Sequence, residues 1–342
     1  MSASVHHLIV PFASTSSEAG QQALAQLQLR HLPALLDRLQ QQDEVVCDEY
    51  SYSPPHEQVL AQALQWPDAQ RQDGLLPWGA HTARLQGWGT EQPLAWGVVT
   101  LCHWRVHSDH ITMPHPADLA LTEEEAEHFF KAMYPWFAEE GLELMPLPLD
   151  KSGMVQWLVH GKMLEGLRTA SIDRVCGRNV ESWMPLSIHA LTSPTAARAA
   201  PLQRLQSEMQ MLLHRDPVNA QRAQEGKLEV NSFWVSGAGI LPSEVPTFPE
   251  GDNSLRPHLL RQLAASALRE DWAAWQTAWL WLDDNVFAKL LERHRTSKVD
   301  KLRITLCSEV RAHTWASEPV SLWQMLARKI RPSNTQSILG PL

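Results

Sequence analysis

Short apolar runs and leucines at helical spacing alternate along the first third of the chain. The opening VHHLIVPF is apolar and is followed by ASTSS, a pattern typical of a β-strand that ends in a turn. Residues 21–42 carry leucines at helical spacing but contain Pro33, which predicts two short helices separated at that proline. Residues 43–93 are rich in turn-forming residues, and they predict irregular structure with one helix over 55–66.

The clearest helix signal of the chain follows Leu121. Thr122 and Glu125 have the spacing of a capping box, an apolar stripe comes next, and Gly141 predicts the C-terminal end of the helix. Strands are predicted on both sides of this helix, namely two within 94–115, one over 142–147 and one over 154–160.

The second half of the chain continues this alternation. SIHALTSPTAARAAP is small and polar and predicts a linker over 186–200, after which Pro201 starts a helix. The remaining predicted elements are a Trp-rich helical region over 256–295, strands over 300–307 and 309–315, and a helix over 319–330. The alternation predicts an α/β fold with a mixed sheet flanked by helices. We predict a single large domain over 1–342, with a division into 1–185 and 201–331 as the alternative.

Composition and charge exclude several classes of protein. The chain is 44% hydrophobic and 20% charged, as globular proteins are, and no apolar run approaches the ~20 residues of a membrane helix. The net charge of −9 argues against a nucleic-acid-binding surface. The first residues lack the features of a secretory signal, so we expect a cytoplasmic protein. The four cysteines are far apart and form no CxxC pair, which predicts free thiols.

One stretch concentrates many residues that are typical of turns and binding loops: HRDPVNAQRAQEGKLEVNSFWVSGAG, residues 214–239. It predicts the end of a helix, a short second helix, a strand and a glycine turn. The candidate ligand-binding residues in this stretch are Asn219, Arg222, Asn231, Gly237 and Gly239. The alternative is that Asn219 and Arg222 only cap and brace the turn, and that the glycines only form a tight turn after the strand.

The same stretch resembles a segment of the archaeal-type cofactor-independent phosphoglycerate mutases. The shared order is Pro-Val-Asn, then Arg, Gly, Asn-Ser-x-Trp and Gly-x-Gly. Longer segments are similar to proteobacterial regulatory proteins of the RpfE type, a phosphoglycerate-mutase-like family; these segments are LCHWRVHSDHITMPHPADL, TASIDRVCGRNV and RLQSEMQMLLHRDPVN. The resemblance implies a remnant of the alkaline-phosphatase-like fold.

The chain departs from the mutase pattern where the chemistry needs metal ligands. The resemblance implies two divalent metals held by Asp and His together with a Ser or Thr nucleophile. The first strand of the family ends in Asp-Gly, whereas Pro11 and Phe12 stand here. The acidic residues and histidines after Gly239 lack the expected paired spacing. HSDHITMP resembles an Asp-His-x-Thr metal motif, but it lies before the segment that it should follow, and we interpret that likeness as coincidence.

Two further clusters are candidate sites. The densest set of potential metal ligands is His103, His107, Asp109 and His110, which would suit zinc; the alternative is a hairpin with surface histidines. Arg174 and Arg178 could hold an anion near a helix start; the alternative is an ion-pair network with acidic neighbours such as Asp173.

These observations predict a non-catalytic, phosphomutase-like regulatory or binding protein in the cytoplasm. Its expected partner is a small phosphorylated or anionic ligand, with no nucleic acid, no membrane and no required cofactor. One alternative is a phosphoglycerate mutase or phosphohydrolase that uses a divalent metal held by rearranged ligands. Another is a protein–protein adaptor that uses exposed tryptophans.

Overall fold

The computed structural model describes residues 5–89, 94–149, 152–184, 194–245, 256–296, 301–317 and 333–342. The strands in these ranges are β1 (Val5–Val10), β2 (Gln40–Val46), β3 (Ala95–Cys102), β4 (Arg105–Val106), β5 (Ile111–Thr112), β6 (Glu143–Pro146), β7 (Gln156–His160), β8 (Ser232–Ile240), β9 (His258–Leu259), β10 (Lys301–Cys307) and β11 (Arg311–Ala316).

Helices lie between most of these strands. They are α1 (Glu18–Gln26), α2 (His31–Leu36), α3 (Pro55–Ala63), α4 (Trp78–Leu85), α5 (Glu123–Glu139), α6 (Ile172–Val175), α7 (Pro194–His214), α8 (Pro217–Gln224), α9 (Ala264–Leu268), α10 (Trp272–Leu282), α11 (Ala288–Arg295) and α12 (Thr335–Leu339). A π-helical turn, Asp283–Phe287, joins α10 to α11. Among the described residues, none of the helices is long and apolar enough to cross a membrane.

The chain forms two compact units. Unit 1 comprises Met1–Glu49, Pro54–Gln65 and Phe248–Leu342, and unit 2 comprises Tyr50–Ser53 and Trp66–Thr247. Both ends of the chain belong to unit 1 because β1 pairs in parallel with β9 and β10, which come almost 250 residues or more later in sequence. This division differs from a single domain over 1–342 and from a division at 186–200. Residues 186–193 of the predicted linker lie outside the described residues, and residues 194–200 belong to α7.

Unit 1 contains a mixed five-stranded sheet in the order β2-β11-β10-β1-β9. The β1–β10 and β1–β9 pairs are parallel, and the other two pairs are antiparallel. One face of this sheet packs on a large apolar cluster that includes Trp275 and Trp279 of α10, whereas Val59 of α3 packs on the opposite face with Ile9. The predicted mixed sheet flanked by helices is confirmed.

Unit 2 contains an antiparallel four-stranded sheet in the order β6-β7-β3-β8, and β4 and β5 form a separate hairpin. Apolar residues of α5 and α7 pack on one face of the sheet, among them Phe129, Phe137 and Leu205. The predicted capping box is present at the start of α5, because the Thr122 hydroxyl accepts from the Glu125 amide and the Glu125 carboxylate accepts from the Thr122 amide.

Several predicted elements were wrong in position or type. Residues 40–46 form β2, although 40–42 were predicted to end a helix and 43–46 to be irregular, and α4 also lies in the region predicted to be irregular. Pro201 lies inside α7 instead of starting it, and β8 runs through the Gly-Ala-Gly sequence instead of stopping before it. The predicted helix over 319–330 lies outside the described residues.

Candidate functional site

Asn219 connects the first turn of α8 to the chain that leads into β8. Asp216 caps this helix by accepting from the Val218 amide at 2.8 Å, which fixes the position of the neighbouring Asn219. The Asn219 Nδ2 donates to the carbonyls of Leu213 (2.9 Å) and Val230 (2.7 Å), and its Oδ1 accepts from the Val230 amide at 2.9 Å. Asn219 is 3% exposed, so both ends of its amide satisfy buried backbone groups.

Arg222, one turn later on α8, is 1% exposed. Its Nε donates to the Leu228 carbonyl at 2.9 Å, one terminal nitrogen donates to Glu125 Oε1 at 2.7 Å, and the other donates to the Leu119 carbonyl. Because Glu125 also completes the capping box of α5, this single guanidinium fastens α8 to the start of α5. These contacts are those of a bracing residue, the alternative that the sequence left open.

Asn231 extends the pairing between β3 and β8 by one residue. Its Oδ1 accepts from the Trp104 amide at 2.6 Å and its Nδ2 donates to the Trp104 carbonyl at 2.9 Å, as a strand neighbour would. Trp234 is 2% exposed, and its indole N–H donates to the Ala170 carbonyl at 2.9 Å. The two side chains therefore hold different segments of unit 2 against β8.

The glycines of β8 allow α4 to lie directly on the sheet. Gly237 has φ +61°, and a Cβ atom there would lie 2.8 Å from Trp78 Cβ. A Cβ atom at Gly79 of α4 would lie 2.5 Å from the Gly97 Cα of β3. A Cβ atom at Gly239 would lie 3.1 Å from Pro77 Cβ. Close approach of the backbone is thus needed here, and the group that approaches is α4. Ligand binding by Gly237 and Gly239 stays a prediction.

The arginine cluster lies around the short helix α6. Arg174 on this helix is 1% exposed, and Arg178 is half-buried just after it. Arg168, a few residues earlier, pairs with Asp73 at 2.9 Å and lies over the Tyr52 ring at 5.2 Å. Anion binding by Arg174 and Arg178 stays a prediction.

The four candidate metal ligands lie on or beside the β4–β5 hairpin. The rings of His107 and His110 stack with centroids 4.5 Å apart, and His110 Nδ1 lies 2.7 Å from Asp109 Oδ1. This hydrogen bond and the adjacent imidazole lower the pKa of Asp109. His103 instead contacts the Glu229 carbonyl at 2.9 Å. No three of the four place their ligand atoms within 4.8 Å of one another.

Unit 1 brings together three possible metal ligands that the sequence did not group. His31, Asp283 and Asp284 have ligand atoms within 4.8 Å of one another. The buried Asp283 carboxylate, however, accepts from the amides of Arg30 (2.8 Å), His31 (3.0 Å) and Leu32 (2.7 Å). A carboxylate placed in this way caps α2, so the fold accounts for it without a metal. Because about 250 residues separate the partners, no local pattern could have revealed the contact.

The carboxyl end of β1 is where open α/β sheets bind ligands. Here the Phe12 carbonyl accepts from the Trp275 indole at 2.9 Å, and the Ala13 amide donates to the Cys307 carbonyl at 2.7 Å. Ser14 is 2% exposed and its hydroxyl has no hydrogen-bond partner among the described residues. A serine hydroxyl becomes a strong nucleophile when an adjacent base accepts its proton, and no described residue is hydrogen-bonded to Ser14 in this way.

A cavity of about 590 Å³ lies between one face of α5 and the connection from β6 to β7. Its lining is mostly apolar, with three charged residues: Glu123, Ala126, Glu127, Phe130, Lys131, Pro146, Leu147, Pro148, Leu149, Val155 and Trp157. Its volume falls within the roughly 300–1,000 Å³ of small-molecule sites, and an apolar lining with few polar groups is typical of them.

Sequence reasoning missed this cavity, although part of its signal was visible. Glu123, Ala126, Glu127, Phe130 and Lys131 recur at helical spacing and share a face of α5 that is distinct from its core stripe. The opposite wall comes from the Pro146–Leu149 segment, and the packing of that segment beside α5 is tertiary information.

Comparisons with known proteins add little to this geometry. No protein-family model matches the sequence, and no curated protein matches it. Among solved structures, the cofactor-independent phosphoglycerate mutase from Thermoplasma acidophilum is similar with a TM-score of 0.37 and 13% identity, over 92% of this chain and 89% of that chain. The PH0037 protein from Pyrococcus horikoshii is similar with a TM-score of 0.42 and 12% identity, over 92% of this chain and 88% of that one. A phosphoglycerate mutase is thus among the distant structural neighbours of the chain, and the RpfE-type resemblance stays a prediction.

Proposed function

We propose that this chain is a small-molecule-binding protein of regulatory type that lacks phosphomutase chemistry. The observation that carries the proposal is the cavity beside α5, with its apolar lining and a volume of about 590 Å³. A second observation supports it. Asn219, Arg222 and Asn231, the polar residues that carry the mutase resemblance, are engaged by backbone groups and by Glu125.

Binding of a neutral aromatic probe tests the proposal. We expect naphthylethanol to bind the full chain saturably, with one molecule per chain, in isothermal titration calorimetry. Ala126→Phe places a ring inside the cavity and is expected to weaken this binding by at least about tenfold. The matched control is Ala138→Phe, on an exposed position of the same helix, which should bind as the wild type does.

A second variant covers the case in which Ala126→Phe does not fold. Leu149 is 44% exposed at the mouth of the cavity, so Leu149→Trp narrows the entrance without disturbing the core. The proposal is contradicted if the wild type does not bind naphthylethanol. It is also contradicted if both cavity variants fold and bind naphthylethanol as tightly as the wild type does.

The enzyme alternative makes a different prediction. Pro11 and Phe12 stand at the end of β1, where the mutase resemblance implies a metal ligand, and neither side chain binds a metal. We therefore expect no Mn²⁺-dependent interconversion of the phosphoglycerate isomers in an enolase-coupled assay. Turnover that a chelator abolishes and added Mn²⁺ restores would establish the enzyme instead.

Two exposed apolar side chains favour the adaptor as a second candidate function. Leu280 and Trp281 of α10 are 47% and 51% exposed. Because isolated exposed apolar residues are ordinary on protein surfaces, this observation is weaker than the cavity.

A further inference from the structure

We propose that the cavity beside α5 takes an organic cation, a molecule with an apolar body and one amine or quaternary ammonium head. This inference rests on the proposed binding function and deepens it by naming the class of ligand. It departs from the anionic ligand that the sequence predicted.

The charged residues of the cavity favour a positive head group. Glu127 and Lys131 are four residues apart on α5 and form an ion pair at 2.6 Å, so their charges largely cancel. Glu123 also lines the cavity and makes no ion pair with any described residue. Among the described residues, the lining therefore carries one carboxylate in excess, that of Glu123. Because Glu123 is exposed, solvent screens its charge, and the attraction that we expect is modest and sensitive to salt.

The positive end of the α5 dipole does not reverse this preference. The first turn contains three carboxylates, those of Glu123, Glu124 and Glu125, whereas the dipole places roughly half a positive charge there. Arg222 neutralises Glu125, which leaves two carboxylates to offset the dipole. The field at this end of the cavity is therefore negative.

The aromatic lining of the cavity also favours a positively charged ligand. Phe130 and Trp157 pack edge to face with ring centroids 5.3 Å apart, and both rings line the cavity. The faces of aromatic rings attract cations, and because Trp157 is buried, the ring available to a ligand is that of the half-buried Phe130. The Glu123 carboxylate and the Phe130 ring are independent features that select the same charge.

Three probes of one carbon framework and different charge test the inference: naphthylethylamine, naphthylethanol and naphthylacetate. With calorimetry on the full chain at low ionic strength, we expect the amine to bind about threefold to tenfold more tightly than the alcohol. The acid should bind more weakly than the alcohol. Added salt should reduce the advantage of the amine and leave the affinity for the alcohol unchanged.

Two single variants assign the effect to Glu123. Glu123→Gln leaves the Glu127–Lys131 ion pair in place, and it should remove the advantage of the amine and retain binding of the alcohol. Glu139→Gln, an exposed position in the last turn of the same helix, changes the net charge without changing the cavity and should preserve the advantage.

The outcomes separate this inference from the proposed function. If the alcohol binds and the amine has no advantage, or if the acid binds best, the cation assignment is wrong while the cavity remains a binding site. If none of the three probes binds, the proposed function fails first. An advantage that survives in the Glu123→Gln variant also overturns the assignment, because it would then arise elsewhere on the chain.

Discussion

Replacing Arg222 with methionine is expected to destabilise unit 2 by about 3–5 kcal/mol, as breaking a buried ion pair from one side does. Arg222 is 1% exposed and donates to Glu125 and to the carbonyls of Leu119 and Leu228. Methionine keeps much of the aliphatic stem, so the loss falls on the hydrogen bonds. Urea unfolding followed by circular dichroism measures the change.

A double-mutant cycle separates the ion pair from the other contacts of Arg222. Glu125→Gln keeps an oxygen that accepts from the Thr122 amide but removes the charge that Arg222 neutralises. The double variant, Arg222→Met with Glu125→Gln, should be less destabilised than the sum of the two single changes by about 1–3 kcal/mol. If Arg222→Met unfolds at the wild-type midpoint and abolishes binding of inorganic phosphate, Arg222 is a ligand-binding residue and the bracing role is wrong.

Elements that local pattern determines could be predicted from the sequence. The capping box at Thr122 and Glu125, the start of α8 at Pro217 and strands β6 and β7 depend on neighbours within a few residues, and the structure contains each of them. Strand β2 was not predictable in this way. Its sequence QQQDEVV is mostly exposed, so it lacks the apolar alternation of a strand, and pairing with β11 holds it in the sheet.

The division of the chain into two units depends on contacts between residues that are far apart in sequence, and local sequence patterns do not reveal such contacts. β1 lies beside β9 and β10, so the two ends of the chain share one sheet. The Gly-Ala-Gly sequence was interpreted as a turn because glycines often end strands, yet here they permit α4 to pack on β8. The sequence shows that the residues there are small, and the tertiary structure shows that α4 fills the space beside them.

The candidate site, like the fold, has features that the sequence predicts and features that only the tertiary structure shows. The polar residues of 214–239 are candidate ligand-binding residues in the sequence, which leaves open whether a ligand or the backbone is their partner. Asp216, Asn219 and Arg222 bond to atoms that are between two and about a hundred residues away. The cavity beside α5 requires a helix face and a distant loop, so its helical half was visible in the sequence and its other half was not.

Truncating Trp234 to alanine is expected to cost about 3–5 kcal/mol, because it removes a buried aromatic side chain and leaves a cavity. Trp234 is 2% exposed, and its indole N–H donates to the Ala170 carbonyl at 2.9 Å. Trp234→Phe keeps much of the apolar body and should cost less, with about 1–2 kcal/mol attributable to the carbonyl left without a donor. The measurement is again the urea midpoint and slope by circular dichroism.

The matched control for this truncation is Trp281→Ala on α10. Trp281 is 51% exposed, so its removal should change the stability by no more than about 0.5 kcal/mol. The contrast between the two tryptophans decides what the segment 214–239 does. If Trp234→Ala unfolds at the wild-type midpoint but loses binding of naphthylethanol or phosphate, Trp234 belongs to a recognition surface. A large loss of stability, with Trp281→Ala unchanged, instead identifies the indole as the contact that fastens β8 to the segment containing Ala170.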